Sequence, residues 1–239
     1  MENINDCLII NLEERTDLWE NLQIFRDKWE KSNKKWYRIS GVNYRSQSNV
    51  LNEFIINNRI NLNGNGFRET KSAFLGELGC FMGHFNSWKY IVENKLDTCL
   101  ILEDGIEFLR DDFDKLRIQK NTDILFVNEE MKMAGPKNFV GYGLQGYVVT
   151  YKGAEFLLKK CYTLVVPIDL QIRHLCNTSD INATVLSESF VKRNNNRLSS
   201  IGLDIDDLND LNKKQNQNPI IQRILTKLIE RNINLDDFI

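Results

Sequence analysis

Residues 72–108 read SAFLGELGCFMGHFNSWKYIVENKLDTCLILEDGIEF, and this stretch decides the fold that the sequence predicts. Apolar residues recur in its first half at steps of three and four, the period of a helix with one buried face; these are Leu78, Phe81, Phe85, Trp88 and Val92. Residues 98–102 form a short apolar run, which is typical of a strand buried on both faces. Glu103 and Asp104 follow, and carboxylates at the carboxyl end of a central strand face the crevice where open α/β sheets bind ligands.

The sequence on either side alternates between predicted strands and predicted helices. Further strands are expected at residues 7–11, 36–40, 123–128, 145–150 and 185–191. Further helices are expected at 18–29, with Thr16 or Asp17 as the N-cap, at 48–55, near 113–116, at 152–161 and at 169–176, and a polar loop at 129–138. A strand, a helix and a strand at this spacing form a βαβ unit. The predicted fold class is therefore α/β, with a mostly parallel sheet flanked by helices.

The C-terminal part of the chain differs from the rest in composition. Residues 203–218 are acidic and then polar, which predicts a linker, and residues 219–232 carry an apolar stripe typical of an amphipathic helix. That stripe is expected to dock on the core or on a partner chain, which would make a homodimer. The predicted organisation is one domain over 1–202, followed by a helical tail over 203–239.

Composition restricts the class of protein. A formal net charge of −2 argues against a protein that coats nucleic acid. The acidic N-terminus lacks the pattern of a signal peptide, and no apolar run reaches the roughly 18 residues of a membrane span. The five scattered cysteines favour reduced thiols over disulfides, so a cytoplasmic protein is expected. Cys80 and His84 are one helical turn apart, but the sequence shows no further ligands for a structural zinc ion.

The central stretch also carries a family signature. The run GELGC at 76–80, His84, Trp88 and the run LED at 102–104 resemble glycosyltransferase family 25, which includes bacterial lipopolysaccharide glycosyltransferases and animal procollagen galactosyltransferases. The resemblance covers roughly residues 7–202 and implies a GT-A-like nucleotide-sugar-binding fold. It also implies inverting transfer of a sugar, galactose being favoured, from a UDP-sugar to a hydroxyl of a glycan or glycosylated protein.

The resemblance further implies a set of residues that bind the nucleotide sugar, namely Asn11, Leu12, Arg15, Glu77, His84, Glu103, Asp104 and Arg197. Several of them have a purely structural alternative. Asn11 is also explained as a polar strand end, and Arg15 as a solvated turn charge. Glu77 is also explained as a carboxylate at a helix start, and His84 as a packed core histidine.

Acid–base and metal chemistry are expected from three carboxylates. Asp169 resembles the aspartate of the family's Pro-Val-Asp element and is the predicted general base, although an N-cap role is the alternative. Glu103 and Asp104 are the predicted ligands of Mn²⁺ or Mg²⁺, because hard cations prefer carboxylate oxygens. Gly105 replaces the family's last acidic residue, which leaves open a metal-independent mechanism. The cations that would then neutralise phosphate are Arg15, Lys192, Arg193 and Arg197.

Two functions of other classes follow from the same observations. A relative that has lost catalysis would bind a nucleotide or a glycan as a module, and the missing acidic residue at position 105 favours that alternative. An assembly protein would use the helix at 219–232 to dimerise.

Overall fold

The structure of the chain is a computed structural model that describes residues 1–43, 53, 56, 57, 61, 62, 71–179 and 181–194. Four predictions fall outside these residues, wholly or for the most part: the helix at 48–55, the role of Arg197, the linker at 203–218 and the helix at 219–232. Among the described helices, none combines the length and the apolar character that crossing a membrane requires.

Strands and helices follow one another along the chain. The helices are α1 Thr16–Asn21, α2 Gln23–Lys31, α3 Lys71–Glu93, α4 Tyr151–Lys160 and α5 Ile168–Thr178, with a short 3₁₀ helix at Phe113–Lys115. The strands are β1 Glu2–Asn3, β2 Asp6–Asn11, β3 Lys35–Ser40, β4 Asn61–Leu62, β5 Thr98–Glu103, β6 Ile106–Phe108, β7 Arg117–Ile118, β8 Ile124–Phe126, β9 Met131–Gly135, β10 Asn138–Gly141, β11 Gly146–Thr150, β12 Thr163–Leu164, β13 Ala183–Val185 and β14 Val191–Arg193.

A six-stranded sheet with the order β13-β8-β11-β5-β2-β3 forms the centre of the fold. The pairs β2–β3, β2–β5 and β13–β8 are parallel, whereas β11 runs antiparallel to both of its neighbours. Five strands therefore share one direction. The α/β class, the mostly parallel sheet and the first βαβ unit are confirmed.

Both faces of this sheet are covered, which explains why its inner strands β2, β5, β8 and β11 are almost continuously apolar. In β5, Cys99 and Ile101 pack in one cluster with helix α3, and Leu100 and Leu102 pack in a second cluster on the opposite face with helix α2. The predicted apolar face of α3 is buried at Leu78, Phe81, Phe85 and Trp88. The alternation of side chains along a strand thus places two cores on one sheet.

Three predictions about secondary structure were wrong. The polar loop at 129–138 is largely a hairpin of β9 and β10, and the helix near 113–116 is a single 3₁₀ turn. The strand predicted at 185–191 is mostly a connection: residues 186–190 join β13, which pairs with β8 in the central sheet, to β14, which pairs with β6 outside it. A single straight strand cannot serve both partners, so the chain bends between them.

The N-cap prediction for the first helix was also wrong. The cap position is Arg15, which makes no side-chain capping bond, and Thr16 is already the first helical residue. The carboxylate of Asp17 instead accepts two bonds from the Arg15 guanidinium, at 2.9 and 3.1 Å.

Candidate active site

An open cleft lies where strands β2 and β5 end. These two strands are parallel neighbours, so their carboxyl ends meet at one edge of the sheet. The lining residues are Ile10, Asn11, Leu12, Gly41, Val42, Asn43, Gly76, Gly79, Cys80, His84, Glu103 and Asp104. Five of the predicted site residues are therefore brought together here: Asn11, Leu12, His84, Glu103 and Asp104.

Asn11 joins the two strand ends. Its side chain is 1% exposed, and its Nδ2 donates to Asp104 Oδ2 at 2.6 Å and to the Arg15 carbonyl at 3.3 Å. Its Oδ1 accepts a bond from the Arg38 guanidinium. Both ends of this amide are thus engaged, and Asn11 holds Asp104 in place from the neighbouring strand. The distance between Asn11 and Asp104 agrees with the prediction that the two strand ends share one site.

Among the described carboxylates, Asp104 is the one whose pKa its surroundings change most. Burial raises its pKa from 3.8 to about 6, although the hydrogen bond from Asn11 and the charge of Arg15 oppose the change. The neighbouring charge of Glu103 adds to the increase. Such a carboxyl is stabilised in its ionised form by any cation that enters the cleft.

Glu103 is held from helix α3 rather than from a strand. The Cys80 thiol donates to Glu103 Oε1 at 3.7 Å, and His84 Nε2 lies 3.1 Å from the same oxygen. Burial raises the pKa of Cys80 well above its ordinary value, so the thiol keeps its proton and remains a donor. Both of these contacts fall on Oε1, and no residue that the structure describes bonds Oε2, which leaves that oxygen for a ligand.

His84 and Tyr147 are fully buried behind Glu103. His84 Nδ1 lies 3.1 Å from the Tyr147 hydroxyl, and that hydroxyl also accepts a 2.8 Å bond from Trp88 Nε1. Burial raises the pKa of Tyr147 well above its ordinary value, so its hydroxyl stays protonated. Tyr147 comes from β11 and Trp88 from α3, and sequence reasoning gave Tyr147 no place in the site because the two residues are 59 positions apart.

Arg15 and Glu77 lie beside the cleft instead of lining it. The Arg15 guanidinium is engaged by Asp17, although its charge lowers the pKa of Asp104. Glu77 is buried in the middle of helix α3, six residues after the helix begins, so the alternative of a carboxylate at a helix start is wrong. Their predicted contacts with a nucleotide sugar stay predictions.

Asp169 is outside the cleft lining. Its Oδ2 accepts a 2.8 Å bond from the backbone N–H of Gly143, and its Oδ1 accepts one of 2.9 Å from Leu170 N–H. The N-cap of helix α5 is Pro167, so the capping role proposed for Asp169 was wrong. Burial and the charge of Glu103 raise the pKa of Cys80, and the charge of Asp169 adds to that increase.

Arg38 is a neighbour of the cleft that sequence reasoning missed. Its guanidinium contacts the Leu12 and Glu13 carbonyls, each at 3.4 Å, in addition to Asn11, and it lies 4.5 Å from the centre of the Trp19 ring. A cation near the end of the second strand of the βαβ unit was the available signal. It supplies positive charge at the edge where β2 and β3 end.

The cleft at the strand ends is lined by one amide and two carboxylates. This arrangement is typical of α/β enzymes, which bind their ligands at the carboxyl ends of the strands. The model of glycosyltransferase family 25 (LPS biosynthesis protein) matches residues 4–140, which is more than half of the chain. The chain therefore belongs to glycosyltransferase family 25.

Similar proteins include animal members of this family. Procollagen galactosyltransferase 1 of Danio rerio is 30% identical over 106 residues, covering 35% of this chain and 17% of the relative. A glycosyltransferase 25 family member of Drosophila melanogaster is 31% identical over 143 residues, covering 52% of this chain and 23% of the relative. The matched region is thus less than a quarter of the length of either relative.

One solved structure is also similar, that of a glycosyltransferase involved in the glycosylation of the major capsid of PBCV-1. The match has 9% identity, a TM-score of 0.39 and coverage of 82% of this chain and 94% of the other. A likeness of this degree supports no further argument.

Proposed function

We propose that the chain transfers a sugar, with inversion, from a UDP-sugar to a hydroxyl of a glycan or glycosylated protein. Family membership supports glycosyl transfer, and the procollagen galactosyltransferases among the relatives favour galactose. The observation that carries the proposal is the convergence of Asn11, Glu103 and Asp104 in one cleft.

The residues of the cleft have the chemistry that a hard divalent cation requires. Glu103 and Asp104 both line the cleft, and burial together with the charge of Glu103 raises the pKa of Asp104, an increase that a bound cation would reverse. Glu103 and Asp104 would hold Mn²⁺ or Mg²⁺. When bound, the ion would neutralise charge that develops on the leaving diphosphate.

This chain's own residues orient the sugar donor. Asn11 fixes Asp104 and links it to β3 through Arg38, so the two strand ends act as one rigid wall. Arg38 and Arg15 add positive charge beside that wall, which favours a diphosphate. We propose Asp169 as the general base that accepts the proton of the acceptor hydroxyl, with its carboxylate oriented by Gly143 N–H.

A sugar-donor hydrolysis screen tests the proposal. The purified chain is incubated with UDP-, GDP- and CMP-sugars, with and without Mn²⁺, and the released nucleotide is measured. We expect release from a UDP-sugar, UDP-galactose being favoured, and its loss in Asp104→Asn. Asp111→Asn is the matched control, because the side chain of Asp111 is 85% exposed and pairs only with Lys28 in the described part of the chain.

A second function is favoured by one observation. Gly105 lacks the carboxylate that the family carries, and this loss favours a protein that binds a nucleotide or glycan without turnover. Calorimetry with UDP separates the two functions. Binding without turnover of any sugar donor supports the binding protein, and turnover excludes it.

A further inference from the structure

Behind the cleft, four side chains form one continuous hydrogen-bonded chain from the core to the ligand site. Trp88 Nε1 lies 2.8 Å from the Tyr147 hydroxyl, the hydroxyl lies 3.1 Å from His84 Nδ1, and His84 Nε2 lies 3.1 Å from Glu103 Oε1. Trp88, Tyr147 and His84 are at most 1% exposed, whereas the Glu103 side chain is 26% exposed. Of these four side chains, only that of Glu103 is exposed to solvent in the cleft.

The chemistry of each group fixes the direction of every bond. An indole N–H can only donate, so the Tyr147 oxygen accepts from Trp88 and its own O–H is free to donate to His84 Nδ1. A carboxylate can only accept, so Glu103 requires a proton on His84 Nε2. One arrangement satisfies all these groups: Nδ1 of His84 accepts and Nε2–H donates.

We propose that Trp88, Tyr147 and His84 are positioning residues that fix the Nε2–H tautomer of His84 and thereby the orientation of the Glu103 carboxylate. The inference rests on the proposed function, in which Glu103 faces the sugar donor. We call the hydrogen-bonded series Trp88, Tyr147, His84 and Glu103 the relay. The bond from His84 and the bond from Cys80 both fall on Glu103 Oε1, so Oε2 faces the ligand in a single orientation. A carboxylate held close to its productive geometry stabilises the transition state better than a mobile one does.

A metal ion is the competing occupant of the same residues. Cys80, His84 and Glu103 each offer one ligand atom, and these atoms lie within 4.8 Å of one another. A metal on His84 Nε2 would move the ring proton to Nδ1, which would then compete with the O–H of Tyr147. The Tyr147 proton would lose its acceptor inside the core, and that costs free energy. The relay is therefore favoured over a zinc site.

Nitrogen-15 NMR of the histidine rings tests the relay without reference to activity. The chain has two histidines, and the exposed His174 is assigned with a His174→Gln variant. We expect protonated Nε2 and unprotonated Nδ1 for His84 at neutral pH, and a displaced Nδ1 signal in Tyr147→Phe. A protonated Nδ1, or rapid exchange between tautomers, overturns the relay, as does a shift of both His84 nitrogens on addition of stoichiometric Zn²⁺.

Kinetics test the consequence for Glu103. With the UDP-sugar that the wild-type chain hydrolyses, Tyr147→Phe is expected to lower kcat about 10–100-fold, the usual effect of losing a group that orients a ligand-binding side chain. KM should change much less. Trp88→Phe should lower kcat by a smaller factor, because the bond from Tyr147 to His84 remains.

Tyr90→Phe is the matched control, since it removes a tyrosine hydroxyl outside the cleft lining, from helix α3, which also carries His84 and Trp88. It should leave kcat unchanged, and circular dichroism should show that all three variants fold. Unchanged kcat in a folded Tyr147→Phe variant overturns the positioning role. A wild-type chain that hydrolyses no sugar donor overturns the proposed function instead, while the NMR result still decides the relay.

Discussion

Carboxylates occur in two regions of this molecule, and the two regions hold them in different ways. At the strand end, side chains hold Glu103 and Asp104 through His84 and Asn11. At the start of helix α5, backbone N–H groups of Gly143 and Leu170 hold Asp169. The strand-end pair lines the cleft, whereas Asp169 anchors a loop beside it. The strand-end carboxylates are therefore placed to contact a ligand. Asp169 takes part in catalysis only if its carboxylate also reaches the acceptor hydroxyl.

The largest expected effect belongs to Asp169. If it is the general base, Asp169→Asn should lower kcat by roughly 10²–10⁴-fold and leave UDP binding intact. Asparagine retains an oxygen that can accept from Gly143, so the loop anchor survives. The measurement is steady-state hydrolysis together with UDP calorimetry, and an unchanged kcat removes Asp169 from the mechanism.

Arg173→Gln is the control for the loop itself. The Arg173 guanidinium bonds the carbonyl of Gly141 at the other end of the same loop, so this variant loosens the loop without touching Asp169. If Arg173→Gln lowers kcat as much as Asp169→Asn does, Asp169 acts as an anchor only. In that case, the catalytic carboxylates would all lie at the strand end, and the start of helix α5 would have a structural role only.

Asp104→Asn should have the second largest effect. Losing a charge that stabilises the transition state typically costs about 10²–10³-fold in kcat. Any dependence of the rate on Mn²⁺ should disappear in the same variant. An Mn²⁺ titration with UDP present checks this, and equal Mn²⁺ affinity in the variant and the wild type would place the cation elsewhere.

The stability of the protein should respond to pH through Asp104. Its pKa is raised in the folded state from 3.8 to about 6, so the folded state binds the proton more tightly than the unfolded state does. Stability from this group is therefore present below about pH 4 and is lost as the pH rises to about 6. Relative to wild type, Asp104→Asn should gain on the order of 1–3 kcal/mol in free energy of unfolding across this window.

Urea unfolding of both proteins at several pH values measures that difference. Comparing the two chains cancels the titration of all other groups. A difference that does not change between pH 4 and pH 7 would show that Asp104 has an ordinary pKa and that burial does not distinguish it from an exposed carboxylate.

The smallest effect is expected from Gly105→Asp. A Cβ added at position 105 would meet no atom of the described residues within 4 Å, and the backbone there lies outside the left-handed region. Aspartate therefore fits without strain, and a third carboxylate should tighten Mn²⁺ binding roughly tenfold. The same Mn²⁺ titration measures it. Unchanged affinity would mean that the cation does not bind beside Glu103 and Asp104.

The sequence predicted those parts of the fold that depend on burial. Helix α3 and strand β5 follow from apolar spacing, because one face of the helix and both faces of the strand are covered. The hairpin of β9 and β10 was missed because it is mostly exposed, so its pairing leaves no apolar pattern. Apolar periodicity therefore predicts elements that are buried, and it does not predict an exposed hairpin.

The candidate site was predicted in part for a similar reason. Asn11 and Asp104 follow strands, and parallel strands bring their ends together, so their meeting could be foreseen. The contacts of Arg38, Tyr147 and Asp169 depend on how loops and distant strands pack, which local sequence does not encode. The resemblance to the family supplied His84 and Trp88 without showing what joins them.

A crystal structure with UDP and Mn²⁺ tests the central claim most directly. The account predicts the diphosphate in the cleft between Asn11 and the pair Glu103 and Asp104, with Glu103 bound through Oε2 and still held by His84 at Oε1. A nucleotide bound elsewhere on the chain, or a cation bound away from both carboxylates, would contradict it.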